Sequence, residues 1–258
     1  DTLNFLAYNL DKALTSLKEA NVKLEKDIEK EREIEKIRKE FIASVSHELK
    51  TPINLIGGYA EGLRDNIFES GEKDYYIDII IDESNKMGNL VTDMLKLSHL
   101  ESGVLKLNKE EFFMDEFIIY SLKKFSKVIK DKNITINFNM IPKIRVYADW
   151  DKMEQVIDNF TTNAIKNTEK GGNIIFAIAD RKDKIIVSVE NTGKNIPVED
   201  ITKIWNNFYK IDKSRNRKLG GTGIGLAIVK NILELHGFEY GVKNTERGVI
   251  FYFIMDKV

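Results

Sequence analysis

The apolar residues of this chain change their spacing near Leu105, and this change constrains the fold more than any other feature. Before it, apolar residues recur at steps of three and four, which is the period of an amphipathic helix. After it, alternating runs such as Ile134-Ile136-Phe138 stand between helical segments, and alternation is typical of β-strands. The sequence therefore predicts a multidomain chain, with a helical region followed by an α+β two-layer sandwich domain over residues 105–258.

Residues 1–40 carry the pattern of a coiled coil. Its seam consists of Leu3, Leu6, Leu10, Ala13, Leu17, Ala20 and Leu24. The alternating three- and four-residue steps predict a helix that pairs with a second copy of itself. The phase slips between Ile28 and Ile34, and such slips change supercoiling locally, so we expect rotational signals to be received there.

The next helix contains a histidine that lies off its apolar stripe. The stripe consists of Phe41, Ile42, Val45, Leu49 and Ile53. Pro52 has no amide hydrogen and crowds the carbonyl one turn back, so we expect a bend just after His47. Thr51 follows His47 by one turn on the same face. Taken alone, this pattern most often indicates an ordinary surface histidine on a packed helix.

Residues 41–104 are predicted to form a helical hairpin. The first helix should run to about Arg64, and the second should end near 101–103 after a connection over 65–74. The apolar side of the second helix contains Ile77, Ile80, Ile81, Ser84, Met87, Val91, Met94, Leu95 and Ser98. The short connection predicts antiparallel neighbours. One hairpin has too little core to be stable alone, so we expect a four-helix bundle built by two chains.

Composition excludes several classes of function. The net charge of −1 over 258 residues argues against a nucleic-acid-binding surface, which needs clustered Lys and Arg. The absence of cysteine excludes disulfides and thiolate metal sites. No apolar run is long enough to span a bilayer, and no signal-peptide pattern opens the chain. Because the sequence begins at Asp1 in mid-helix, we expect an excised part of a longer protein, whose membrane anchor would lie upstream.

A polar ridge interrupts the helix predicted over residues 151–168. Asn159, Asn163 and Lys166 follow one another at helical spacing. Beside them lies an apolar face that we expect to pack inward, formed by Met153, Val156, Ile157, Phe160 and Ile165. Asparagine in mid-helix is a poor choice for stability alone. Amide oxygens suit a Mg²⁺ ion that is shared with nucleotide phosphates, and a lysine suits the phosphates themselves. Exposed Asn and Lys are ordinary, however, so the ridge alone is weak evidence.

A glycine-rich run opens the last predicted helix, which should end at His236-Gly237. Its residues are Gly221, Thr222, Gly223, Ile224, Gly225 and Leu226. Glycine permits positive φ and lets backbone amides approach a phosphate closely at the start of a helix. The dinucleotide fingerprint is not matched, because the spacing differs and no strand leads directly into the run. A flexible loop before a helix is the alternative interpretation.

Two further segments complete a possible nucleotide pocket. Asn191 and Gly193 lie at the end of a predicted strand. There the Asn191 side chain can accept a hydrogen bond from a ligand, and Gly193 leaves room for a flat ligand. The connection that follows contains one short predicted helix near 200–206, and it is long enough to cover a ligand. Its aromatic and basic residues include Phe208, Tyr209, Lys210, Arg215 and Arg217.

The motifs match a known family in their order. The segment 46–52, the ridge 159–166, the triplet 191–193, the pair 208–209 and the run 221–226 together resemble the sensor histidine kinases of two-component systems. Residues 1–40 resemble the signalling helix that leaves a HAMP linker domain in membrane-bound members. The resemblance implies a dimerisation and histidine phosphotransfer hairpin, followed by an ATP-binding domain of the type found in gyrase, Hsp90 and MutL.

The resemblance also implies roles on the hairpin. His47 matches the phosphoacceptor that attacks the γ-phosphoryl of Mg-ATP, before the phosphoryl moves to an aspartate on the receiver domain of a response regulator. An imidazole attacks only in its neutral form, which is well populated near pH 7. Glu48 matches the general base on the other ring nitrogen. Thr51 matches the residue that positions water when the regulator is dephosphorylated.

In the ATP-binding domain, the resemblance implies that Asn159 and Asn163 hold Mg²⁺. The phosphates and the base of ATP would be bound by Lys166, Asn191, Gly193, Phe208, Tyr209, Lys210, Arg215, Arg217 and the run 221–226. As a whole, the chain resembles the cytoplasmic portion of a bacterial cell-membrane sensor that acts as a homodimer and binds no nucleic acid.

Two departures keep an alternative open. Asn191 stands where the family often has an aspartate for the adenine amino group, and Asn167 stands where an aromatic residue is frequent. A neutral acceptor replaces a charge-assisted hydrogen bond to adenine by a weaker one, which lowers the binding free energy of ATP by roughly 1 kcal/mol. A kinase-dead scaffold or a phosphatase-only signalling protein therefore remains the alternative. A conformational ATPase related to Hsp90 or MutL is a third alternative, which the predicted helical hairpin with His47 disfavours.

Overall fold

A computed structural model describes residues 2–67, 71–101, 105–211 and 221–258. Helix α1 spans Thr2–Arg64 and helix α2 spans Lys73–Glu101. Both helices end where the apolar periodicity predicts. The helix continues through Pro52, so the bend predicted after His47 does not interrupt it. No helix within these described ranges combines the length and the hydropathy that a bilayer crossing requires.

The chain divides into two compact units, Asp1–Asn54 and Leu55–Val258. In the first unit, the predicted seam residues Leu10, Leu17 and Leu24 are exposed. The side chains of Leu3, Leu6 and Ala13 lie outside the described residues. The dimeric coiled coil and the domain boundaries near residues 40 and 105 therefore stay predictions.

In the second unit, α2 has two apolar faces. One face buries Leu90, Leu97 and Leu100 within the chain itself. The other face holds predicted stripe residues that are between 44% and 58% exposed, namely Ile77, Ile81, Val91 and Leu95. The sequence indicated only the second face. The first face packs beside the last helix of the chain, which the spacing of α2 alone could not show.

The region after Leu105 contains a five-stranded sheet and a two-stranded sheet. The strands are β1 Lys109–Phe113, β2 Thr135–Met140, β3 Arg145–Asp149, β4 Asn173–Arg181, β5 Lys184–Thr192, β6 Glu239–Asn244 and β7 Gly248–Asp256. The large sheet has the order β2-β4-β5-β7-β6, and β1 pairs with β3. Only β2 and β4 are parallel, and the other pairs are antiparallel.

Four helices accompany these sheets within the described ranges: α3 Met114–Leu122, α4 Ser126–Asp131, α5 Trp150–Asn167 and α6 Gly225–His236. Helix α5 contacts β5 and α6, and its predicted inward residues are all buried: Met153, Val156, Ile157, Phe160 and Ile165. The predicted fold class, a helical hairpin followed by a two-layer α+β domain, is confirmed.

Asp149 fixes the start of α5. Its carboxylate accepts hydrogen bonds from the backbone N–H of Lys152 (3.0 Å) and of Asn108 (2.8 Å). The first of these caps a helix N-terminus that otherwise leaves its amides unpaired. The backbone N–H of Asp149 donates in turn to Nε2 of His236 at 3.1 Å. One buried residue thus joins the beginning of α5 to the end of α6.

Strands β1 and β6 were not predicted from the sequence. Strand β1 reads Lys-Glu-Glu-Phe-Phe and does not alternate, and β6 contains Gly241, which weakens strand propensity. Both strands lie at sheet edges, where pairing with one neighbouring strand outweighs their weak intrinsic strand propensity. The single short helix predicted near 200–206 is two 3₁₀ turns, Val198–Asp200 and Lys203–Trp205.

Candidate functional site

The polar ridge of α5 faces the start of α6. The Asn159 amide donates its N–H to the carbonyl of Gln155 (2.8 Å), so its Oδ1 is left to point away from its own helix. A Cβ added at Gly225 would lie 2.5 Å from that Oδ1. Glycine at the first residue of α6 is therefore what lets the Asn159 oxygen approach the helix N-terminus, where backbone amides favour anions.

The second predicted metal ligand is held by a neighbour. Nδ2 of Asn167 donates to Oδ1 of Asn163 at 2.7 Å and to its carbonyl oxygen at 2.8 Å. An amide oxygen has two lone pairs, so this bond fixes the orientation of the Asn163 side chain and leaves one acceptor position. The arrangement resembles an outer shell that orients a ligand.

Lys166 lies under the glycine-rich run. A Cβ at Gly221 would stand 3.7 Å from its Nζ, which is an ordinary contact distance. Burial lowers the pKa of Lys166, the nearby charge of Asp93 opposes that shift, and Lys210 adds to it. Two cations and one carboxylate therefore share this part of the site, which is a suitable place for phosphate.

The glycine-rich run is shaped by its contact with Phe208. Gly223 has a φ of +73°, and a Cβ there would lie 2.9 Å from the Phe208 backbone. The N–H of Phe208, itself at φ +61°, donates to the Gly223 carbonyl at 2.9 Å. Ile224 is fully buried and belongs to the core, whereas Leu226 is half-buried.

The end of β5 meets the end of α5. Asn191 is only 3% exposed, and its Nδ2 donates to the Thr192 carbonyl at 3.2 Å. Gly193 has a φ of +156°, and a Cβ there would lie 2.6 Å from the carbonyl oxygen of Asn167. The glycine therefore permits the close approach of the two elements beside the predicted adenine position.

The remaining predicted residues lie in the connection before α6. The hydroxyl of Tyr209 donates to Oδ1 of Asp200 at 2.5 Å, and this hydrogen bond raises the pKa of Tyr209. Lys210 is close enough to Lys166 to influence it. Arg215 and Arg217 lie outside the described residues.

These elements bring one set of donors together. Among the described residues, no group of three or more His, Cys, Asp or Glu side chains could hold a metal ion. The oxygen donors of the polar ridge are the amides of Asn159, which faces the start of α6, and Asn163, one turn further along α5. These hard neutral ligands fit a Mg²⁺ ion that takes its other ligands from phosphate and water. The residues present therefore fit Mg²⁺ bound together with a nucleotide.

The predicted phosphoacceptor segment lies in the first unit. His47 is exposed on α1, and Glu48 beside it is half-buried. The Thr51 hydroxyl donates to the His47 carbonyl at 3.4 Å, which places Thr51 one turn along on the same face, as predicted. An exposed imidazole on a regular helix is open to an incoming reagent.

Sequence reasoning missed three partners at this site. Asp93 on α2 accepts a hydrogen bond from the Thr222 hydroxyl at 3.0 Å. Asn167 binds Asn163, and Asp200 binds Tyr209. The first contact joins residues 129 positions apart, and nothing in the local sequence of α2 marks it. The i+4 spacing of Asn163 and Asn167 was visible and could have indicated the second.

Two family models match the chain. Residues 37–103 match the His Kinase A (phospho-acceptor) domain, and residues 148–258 match the histidine kinase-, DNA gyrase B- and HSP90-like ATPase family. The two matches cover the segment with His47 and the region that contains α5, β5 and α6.

Similar proteins agree with these matches. The chain is 34% identical to the sensor histidine kinase WalK of Bacillus subtilis, and the alignment covers 85% of the chain and 36% of WalK. It is also 34% identical to the sensor protein kinase WalK of Staphylococcus aureus, with 85% of the chain and 54% of that protein covered. The chain thus spans about a third to a half of these relatives.

Solved structures of histidine kinases also resemble this chain. Histidine kinase ThkA in complex with the response regulator protein TrrA has a TM-score of 0.73 at 31% identity, over 88% of this chain and 64% of that one. The catalytic domain of ThkA has a TM-score of 0.54 at 33% identity, over 58% of this chain and 97% of that one. With the ordered motifs, both family models and these likenesses in agreement, the chain belongs to the sensor histidine kinases of two-component systems.

Proposed function

We propose that this chain uses ATP to phosphorylate His47 and then passes the phosphoryl group to an aspartate of a response regulator. The observation that carries the proposal is the close approach of Asn159, in the polar ridge of α5, to Gly225, the first residue of α6. That pair offers amide oxygens for a metal ion and backbone amides for phosphate. ThkA, a structural relative, was solved with a response regulator, which supports the regulator as partner.

The proposed chemistry at His47 is a phosphoryl transfer. Mg-ATP supplies the γ-phosphoryl group. The lone pair of one imidazole nitrogen of His47 bonds to phosphorus while the bond to the leaving oxygen of ADP breaks. Glu48 accepts the proton from the other ring nitrogen and so prevents charge from building up on the ring. The exposure of His47 supports this role, because the acceptor must meet ATP and later a regulator.

The proposed roles in the ATP-binding region follow the same chemistry. Asn159 and Asn163 would hold Mg²⁺, and Lys166, Lys210 and the run 221–226 would bind phosphate. Asn191 and Gly193 would receive the adenine, with Phe208 and Tyr209 covering it. Arg215 and Arg217 stay predicted phosphate ligands. The low exposure of Asn191 supports an adenine contact that is shielded from water.

Two broader parts of the proposal concern assembly. The exposed stripe of α2 supports a homodimer, since an apolar face of this kind needs a partner helix. We also propose that the full-length protein is a bacterial cell-membrane sensor and that this region works on its cytoplasmic side. Relatives that are longer than the chain and are named sensor kinases support this placement.

A labelling assay tests the phosphorylation of His47. The protein is incubated with γ-labelled ATP and Mg²⁺, and we expect a phosphoprotein that is labile in acid and stable in base. The chain has three histidines, so matched variants are available. His47→Gln should lose the label, and His99→Gln, at an exposed position on α2, should keep it. Equal labelling of the His47 variant would overturn the proposal.

The phosphatase-only alternative is favoured by one observation. Asn191 is a buried neutral side chain where a carboxylate would bind the adenine amino group more strongly. A protein of this kind would bind nucleotide, would remove phosphate from a phosphorylated regulator and would leave His47 unlabelled. In that case Thr51→Ala should abolish the phosphatase activity, because Thr51 is the residue proposed to position water.

A further inference from the structure

Helix α2 reaches the elements of the proposed ATP site. Oδ2 of Asp93 accepts a hydrogen bond from the hydroxyl of Thr222, in the middle of the glycine-rich run, at 3.0 Å. About two turns further along α2, Oε1 of Glu101 lies 3.5 Å from Nδ2 of Asn207, just before Phe208. The helix thus contacts both sides of the connection that precedes α6.

The apolar face of α2 holds Asp93 at this place. Leu90, Leu97 and Leu100 are at most 4% exposed, and they lie on the same side of α2 as Asp93. The half-buried position of Asp93 keeps its carboxylate from turning freely into solvent.

The carboxylate of Asp93 also acts on Lys166. Its negative charge favours the protonated form of the lysine, against the effect of burial. Asp93 therefore serves two groups at once, a hydroxyl donor on the glycine-rich run and an ammonium on α5. Both groups are phosphate ligands in the proposed function.

We propose that Asp93 competes with the phosphates of ATP for Thr222 and Lys166. A carboxylate and a phosphate accept hydrogen bonds from the same donors and are attracted by the same cation, so the site binds one anion at the expense of the other. This inference rests on the proposed function, because it takes Thr222 and Lys166 to be phosphate ligands. It adds that α2, part of the phosphotransfer hairpin, regulates nucleotide loading, since any movement that withdraws Asp93 raises the affinity for ATP.

The test compares the affinity of the full chain for Mg-ATP with that of Asp93→Asn. The variant keeps the shape of the side chain and loses its charge, so we expect the dissociation constant to fall about tenfold, as removal of a charged competitor predicts. Asp82→Asn is the matched control, because Asp82 is exposed and lies about three turns earlier on the same face of α2. It should bind Mg-ATP as the parent does.

A phosphate-free ligand separates competition from other causes. Adenosine, measured by displacement of a fluorescent adenine nucleotide, should bind the parent and Asp93→Asn equally well. An unchanged or weaker affinity of the variant for Mg-ATP, or an equal gain for adenosine, would overturn the inference while the kinase proposal stands. A parent protein that binds no Mg-ATP would overturn both.

Discussion

Gly225 and Asn159 are in such close contact that a methyl group at residue 225 would lie 2.5 Å from Oδ1 of Asn159. Asn159 cannot withdraw easily, because its amide N–H is bonded to the Gln155 carbonyl of its own helix. The oxygen proposed to hold Mg²⁺ is therefore positioned by a glycine at the first residue of a different helix.

We predict that Gly225→Ala weakens the binding of Mg-ATP by at least tenfold. Alanine favours helix by about 0.5–1 kcal/mol over glycine, so the fold itself should not suffer from the change in propensity. The loss arises because the methyl group displaces the Asn159 oxygen. Isothermal titration with Mg-ATP measures the effect. Gly58→Ala, a helical glycine with nothing within 4 Å of the added Cβ, is the control and should bind normally.

The Asn163–Asn167 pair leads to a prediction about the metal. Asn167→Ala removes a donor that orients Oδ1 of Asn163, and loss of an orienting residue typically weakens metal binding about 10- to 100-fold. We expect the Mg²⁺ concentration at half-maximal labelling to rise by about tenfold, with little change at saturating Mg²⁺.

The control for this experiment is Asn231→Ala. Asn231 makes the same kind of bond within a helix, from Nδ2 to the Ala227 carbonyl at 2.9 Å, and this bond involves no second side chain. Its Mg²⁺ dependence should match that of the parent. If Asn167→Ala requires less Mg²⁺ than the parent, Asn167 competes for Asn163 rather than orienting it, and the prediction is wrong.

Local patterns in the sequence were enough to predict most helices and the polar ridge of α5. Periodicity located Met153, Val156 and Phe160 on the buried side of α5, because helical spacing alone decides which residues share a face. The hydrogen bond of Asp93 to Thr222 joins distant parts of the chain and depends on how α2 packs on the following region. Pairing of that kind has no signature in either segment, so only the structure reveals it.

Strand β6 and the bridge made by His236 show the same limit. Gly241 lowers the strand propensity of β6, and pairing with β7 overrides it. The sequence placed the end of α6 at Gly237 correctly, and the structure shows Gly237 in the left-handed conformation with a φ of +77°. The sequence did not show that the imidazole of His236 reaches Asp149, 87 residues earlier.

His236 makes stability depend on pH. Its Nε2 accepts from the Asp149 N–H, and its Nδ1 lies 2.8 Å from the Ile232 carbonyl, an arrangement that needs a neutral ring with the proton on Nδ1. Burial lowers the pKa of His236 below its ordinary value near 6.5, with a smaller contribution in the same direction from Lys109. The unfolded chain therefore binds this proton more readily than the folded one.

We predict that the free energy of unfolding falls as the pH drops through about 6.5 towards the lower pKa of the folded state. This contribution to stability is fully present above about pH 6.5, because the ring is then neutral in both states. Urea unfolding at pH 7.5 and pH 5.5 measures the difference. His236→Gln should lose about 1–3 kcal/mol at pH 7.5 and show a smaller difference between the two pH values. His99→Gln should keep the difference of the parent.

The two apolar faces of α2 should respond differently to substitution. Leu97 is fully buried within the chain, so Leu97→Ala should lower the free energy of unfolding by about 2–5 kcal/mol. Leu95 is 58% exposed in the single chain, and Leu95→Lys should leave the fold intact while it places a charge in the proposed dimer interface.

We expect Leu95→Lys to shift the protein from dimer to monomer at micromolar concentration, as measured by light scattering after size-exclusion chromatography. Asn89→Lys adds the same charge at an exposed polar position of α2 and should remain dimeric. Circular dichroism should show equal helix content in the two variants, so that a difference in mass reports association alone. A dimeric Leu95 variant would mean that the exposed stripe of α2 is not the face that pairs with a second copy.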